Sequence, residues 1–148
     1  MIKNLYIFSK FKNFNKRSIH NLVAALKREL GFEISSLNIN FISGEEIHKI
    51  NKEFLKHDFT TDIITFNYSG NKLDFDGEIF ISLDDAKFNS KKYKVNLRTE
   101  LTRLVIHGIL HLMGYNDLTK EERNLMKKEE NNLLKKYNFI LLRGKSHN

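Results

Sequence analysis

Apolar residues recur along this chain in two rhythms, and the switching between them predicts an α+β domain. From Ser18, the residues Ile19, Leu22, Val23, Leu26 and Leu30 step by three and four, the spacing of one helix face, and Gly31 stops the run. On either side of this helix the period is two. Leu5 to Phe11 places Leu5, Ile7 and Phe11 on one side of a strand, and Ile34 to Ile42 places Leu37, Ile39 and Phe41 on one side of another. Ser43 then caps a short helix, GEEIHKINKEFL, whose Ile47, Ile50 and Phe54 or Leu55 face inward. DIITFNY and GEIFISL read as two more strands, a hairpin or a neighbouring pair, separated by the turn-rich SGNKLDFD.

The second half is mostly helical by the same criteria. Asp84 and Asp85 open a polar, lysine-rich helix or loop, DDAKFNSKKYKVN, expected to be exposed. Asn96 or Thr99 caps a central helix with Leu97, Leu101, Leu104, Val105 and Leu112 on one stripe. Thr119 and Glu122 form a capping box for a surface helix, TKEERNLMKKEENNLLKKY, with Leu125, Met126, Leu133 and Leu134 as its apolar side. RGKSHN is expected to fray, which makes His147 a poor ligand candidate. The pattern predicts a single domain over residues 1–148, a mixed sheet of about four strands packed with about five helices. No internal repeat or linker divides it.

Composition narrows the chemistry. With no cysteine in 148 residues, neither disulfides nor thiolate metal sites are possible, and any metal must rest on His, Asp or Glu. The N-terminal apolar residues are broken by lysines, and no later run reaches membrane-spanning length, so a soluble cytoplasmic protein is expected, with no membrane partner. The net charge of +7 is unevenly placed: residues 1–40 contribute +5, residues 41–118 contribute −2 and residues 119–148 contribute +4. Basic flanks around a slightly acidic centre suit a polyanion held at the ends and worked on in the middle, as Lys and Arg contacts to phosphate supply most nonspecific nucleic-acid affinity.

That centre contains HGILHLMGYND, His107 to Asp117. Two histidines four apart on a helix place their imidazoles on one face, a turn apart, which suits two ligands of one ion. Gly114 ends the helix and turns the chain back, so that Asp117 becomes the candidate third ligand and the fourth position stays open to water. A bound metal would acidify that water to a pKa of about 7 and polarise a phosphoryl oxygen. Two core histidines satisfied by ordinary hydrogen bonds would give the same pattern. The spacing is also that of metzincin proteases, but those carry Glu after the first His, and here that position is Gly108. His20 and His48 read as solvated histidines on helix surfaces. Asp84 or Asp85 could orient a ligand histidine, and Tyr115 is expected to pack over the site.

The motif resembles the signature of the YbeY family of bacterial endoribonucleases and rRNA maturation factors, HGxLHLxGYDH. TDIITF (Thr61 to Phe66) and Gly77-Glu78-Ile79 are similar to two further family motifs, so the resemblance runs from about Asn51 to about Met126. It implies a metal-dependent single-strand endoribonuclease acting in rRNA maturation, 16S rRNA 3′ end processing included, and in ribosome quality control. The implied partners are RNA of the small ribosomal subunit, ribosomal proteins and a ribosome-assembly GTPase. His107 and His111 fall on the family's first two zinc ligands; Asp117 stands where the third is usually His, which keeps zinc as the expected metal and leaves iron, manganese or nickel open. Leu55 takes the place of a family Arg, and Lys56 or His57 are the candidates for its phosphate contact. The alternatives are a non-catalytic ribosome-assembly factor with a structural metal and, behind it, the metalloprotease.

Overall fold

The computed structural model describes residues 1–11, 14–55 and 61–143. Lys56 and His57 lie outside these described residues. Four strands form one sheet: β1 (Leu5–Ser9), β2 (Glu33–Ile42), β3 (Ile63–Asn67) and β4 (Asp74–Ser82). Their order is β1-β2-β4-β3, with β1, β2 and β4 parallel and β3 antiparallel to β4. The two strands around SGNKLDFD therefore form a hairpin, and five helices join the rest: α1 (Lys16–Leu30), α2 (Gly44–Phe54), α3 (Leu83–Lys92), α4 (Leu97–Leu112) and α5 (Lys120–Arg143).

Alternation along the strands decides which helix covers which face. Leu37, Ile39 and Phe41 of β2 and Phe75, Ile79 and Ile81 of β4 point into the main core with α1, α4 and α5. The opposite face holds a smaller cluster, Ile42, Ile47 and Ile64, backed by Ile50, Phe66 and Phe80, under α2. Caps fall where hydroxyl or amide side chains can accept from the first free N–H groups. Ser43 and Glu46 complete a capping box on α2, Asn96 rather than Thr99 caps α4, and Thr119 exchanges hydrogen bonds with Glu122 before α5. DDAKFNSKK is helix rather than loop, capped by Ser82, so that Asp84 and Asp85 lie in its first turn.

Three readings need correction. Leu125 is exposed, because α5 turns the stripe Met126, Glu130, Leu133 and Leu141 inward instead. His48 is half-buried on α2 and engaged by a neighbour rather than solvated. His20 is buried, 7% exposed, because α1 is enclosed at Ser18, Ile19 and His20 in succession, a wider stripe than its leucines mark.

Burial pushes the His20 imidazole below its ordinary pKa, aided by the positive chain terminus nearby. A histidine that protonates more readily unfolded than folded subtracts stability as pH falls through its unfolded value of about 6.5, and stability rises again above it. Thermal melting at pH 7.5 and 5.5 checks this. The acid-induced fall in melting temperature is expected to be smaller in His20→Leu than in the wild type.

Candidate metal centre

α4 reaches the sheet through a residue with no side chain. A Cβ on Gly108 would sit 3.0 Å and 3.1 Å from Ile79 carbons and 3.2 Å from Ile63, so the helix lies close against β3 and β4 there. Position 108 therefore faces the sheet and carries no side chain to act as a metalloprotease's general base. Gly108→Val overpacks this contact, with an expected cost of about 1–3 kcal/mol. Urea unfolding measures the loss, and a shift of the His107 ring signal reports the displaced helix.

Both histidines lie on the partly exposed side of α4, half-buried. Their Nε2 atoms are 3.1 Å apart, with ring centroids 4.6 Å apart and planes at 73°. His107 Nδ1 lies 2.6 Å from Oε1 of Glu130 on α5. The carboxylate accepts that N–H, which leaves the lone pair on Nε2. With His107 held at Nδ1, its Nε2 faces His111 Nε2 across a gap that a shared proton or a metal ion would bridge. Two imidazoles on one tetrahedral zinc have nitrogens separated by roughly 3.3 Å, so the spacing fits a shared ion. Burial, and then the charge of His107, push the His111 pKa down, which keeps its ring neutral and able to ligate near pH 7.

The residues that hold His107 were not apparent as a group in the sequence. Arg103 donates from Nε to Glu100 Oε1 at 3.0 Å, from Nη2 to Glu100 Oε2 at 2.5 Å, and from Nη1 to Glu130 Oε2 at 3.1 Å. Both glutamates are buried. Burial alone would raise the Glu130 carboxyl, but the His107 hydrogen bond and the Arg103 charge outweigh it and hold Glu130 below the ordinary carboxylate range. Asp62, of the TDIITF stretch, comes within 3.9 Å of Arg103 and faces the same cluster; burial raises its pKa, against the charges of Arg103 and His107. The legible signal was Glu130 itself, a charged residue at a core position of the α5 stripe. Asp84, one of the two residues expected to orient a histidine, accepts from the Gly44 N–H at 2.7 Å instead.

After α4 the chain turns at Gly114, whose φ of 100° suits only glycine and whose missing side chain leaves room for the Lys72 stem. Tyr115 packs against the main core. Asp117 lies on the exposed turn, where its carbonyl accepts from Arg123 Nη1 at 3.2 Å and its charge acts on His111. Among the described residues no three His, Asp or Glu side chains are gathered into a metal-sized group. The two imidazoles converge; Asp117 does not join them in this arrangement, because the turn that carries it stays out in solvent.

Fold and site together define a small α+β domain organised around a paired-imidazole helix. Residues 4–138 match the family described as Endoribonuclease YbeY. The Endoribonuclease YbeY of Elusimicrobium minutum is 40% identical over 133 residues, covering 85% of this chain and 92% of its own. That of Chlorobium phaeobacteroides is 46% identical over 106 residues, covering 72% and 74%. A Thermotoga maritima protein known from a solution structure superposes with a TM-score of 0.60 at 26% identity, covering 93% of this chain and 88% of the other. The chain belongs to the YbeY endoribonuclease family. Among the described residues no helix is long and apolar enough to cross a membrane.

Proposed function

We propose that this protein is a metal-dependent single-strand endoribonuclease of rRNA maturation and ribosome quality control, acting at the 16S rRNA 3′ end. The observation that carries the reading is the pair of facing Nε2 atoms 3.1 Å apart, the His107 ring held from behind by Glu130. His107 and His111 hold one divalent ion, with zinc the expected metal, and Asp117 supplies the third ligand from its exposed turn. Such an ion supplies Lewis acidity toward a phosphate oxygen and acidifies a water molecule.

The chain's own residues do the rest. Glu130 keeps the His107 lone pair on Nε2, and Arg103 keeps Glu130 in place. The basic flanks track the RNA backbone, and Lys56 or His57, next in sequence to Leu55, take the phosphate contact that Leu55 cannot make. The partners consistent with this are small-subunit rRNA, ribosomal proteins and a ribosome-assembly GTPase, in the cytoplasm. A non-catalytic assembly factor is the second reading, favoured by Leu55 and by the exposure of Asp117 on its turn.

Cleavage of a labelled single-stranded RNA separates the two. The purified chain is expected to cleave it, to stop when treated with a chelator, and to recover when zinc is returned. Asp117→Ala is expected to bind metal more weakly and to need more zinc for the same rate. RNA left intact by a metal-loaded chain that still co-sediments with the small subunit contradicts the nuclease and leaves the assembly factor.

A further inference from the structure

A cavity of about 370 Å³ opens where the first turns of α1 and α4 meet the start of α3 and the end of α5. Phe11, Phe14, Leu97 and Leu101 are among its apolar walls, and Lys87 and Arg98 line it as cations, with no carboxylate among the lining residues. Neither cation has an ion-pair partner among the described residues. Lys87 Nζ lies instead 5.4 Å from the centre of the Phe11 ring. α1 has no acidic residue in its first turn, so its N-terminal dipole adds uncompensated positive potential.

This chemistry selects a ligand. Cavities of roughly 300–1,000 Å³ with apolar walls and a few polar groups accept one small molecule rather than a chain. Aromatic walls favour a flat ring, which stacks on them, and paired Lys and Arg side chains favour an anionic end. We propose that the cavity is a subsite for one unpaired nucleotide of RNA, with the base against Phe11 and Phe14 and the phosphate on Lys87 and Arg98. It is separate from the imidazole pair: at 100° per residue, the nine positions from Arg98 to His107 carry the histidines to the opposite side of α4. The choice of RNA as ligand rests on the endoribonuclease reading, whereas the cavity and its charge do not.

The full chain, freed of metal by chelation, is titrated with adenosine 5′-monophosphate, with adenosine and with dodecyl sulfate while backbone amide NMR signals are followed. The monophosphate is expected to shift Phe11, Phe14, Arg98 and Leu101, and adenosine to bind at least about tenfold more weakly. Lys87→Glu with Arg98→Glu is expected to abolish monophosphate binding, with Lys87→Gln and Arg98→Gln as a milder pair should the reversal unfold the chain. Phe11→Ala is expected to weaken both nucleoside ligands. His111→Ala is expected to bind the monophosphate as the wild type does, which separates this site from the metal chemistry. Shifts confined to other residues, or unchanged affinity in the charge variants, overturn the subsite while leaving the nuclease reading intact. Tighter binding of dodecyl sulfate than of the nucleotide at the same residues also overturns it, in favour of an amphiphile. Nucleotide binding in a chain that cleaves no RNA supports the subsite and counts against the nuclease.

Discussion

His111→Ala is expected to lose metal binding and RNA cleavage together, with cleavage down by about a thousandfold or more, because a Lewis acid contributes several kcal/mol and each 1.4 kcal/mol is about tenfold in rate. The fold should survive. His111 lies near the end of α4, half-buried, with the core stripe on the other side of the helix, so circular dichroism is expected to match the wild type. Removing the ring also removes the imidazole that faces His107 Nε2. A variant folded as the wild type, yet inactive, is the pattern that follows. Metal analysis beside a single-turnover cleavage assay reads both effects.

Glu130→Ala is expected to damage stability and the site at once. Glu130 is 2% exposed and accepts from His107 and Arg103 through different oxygens, so its removal leaves the half-buried guanidinium to Glu100 alone and frees the imidazole to change tautomer. Removing one acceptor from a network that keeps its Glu100 pairing costs about 1–3 kcal/mol, and losing the partner behind a metal-ligating histidine weakens metal affinity by about 10- to 100-fold. Glu130→Gln separates the two effects. A glutamine oxygen can still accept from His107 Nδ1, but its NH₂ then meets the Arg103 N–H groups, so stability is expected to fall while the His107 tautomer is kept. Nitrogen NMR of the imidazoles reads the tautomer directly, without reference to activity. The half-buried Arg103 has its own pKa raised, first by its hydrogen bond with Glu100, so the guanidinium stays charged.

Local periodicity made the elements legible. The steps of three and four through Ile19, Leu22, Val23 and Leu26 announced α1, and the alternation of Leu37, Ile39 and Phe41 announced β2 and its buried side. Caps were equally direct, because Ser43 and Thr119 act on neighbours three residues away. What the sequence withheld was tertiary. The strand order β1-β2-β4-β3 depends on β1–β2 pairs 32 residues apart and β2–β4 pairs 40 or 41 apart, and nothing local separates a parallel β2 and β4 from an antiparallel pair. Ser9 ends β1 where alternation allowed a run to Phe11, as its hydroxyl accepts from the Phe11 N–H and turns the chain.

The site divides in the same way. Spacing alone put His107 and His111 on one side of α4, since a four-residue step on a helix needs no outside information. The Glu100, Arg103, Glu130 and Asp62 cluster joins α4, α5 and the chain before β3 and has no spacing to read. Its trace was an acidic residue in an apolar stripe, easily taken for part of the charged run KKEENN on a surface helix. Asp117 shows the limit of spacing in the other direction, because ten residues of separation from His107 fixed its neighbourhood and left its side chain in solvent.

The most direct measurement is a cobalt(II) titration of the metal-free chain followed by visible absorption. Two imidazoles on one ion predict a single equivalent per chain, with the intense bands of a four-coordinate nitrogen and oxygen site, lost in His107→Ala and in His111→Ala and weakened in Asp117→Ala. Cobalt that binds nowhere, or whose spectrum survives removal of both histidines, contradicts the metal centre and returns His107 and His111 to the role of two neighbours sharing a proton.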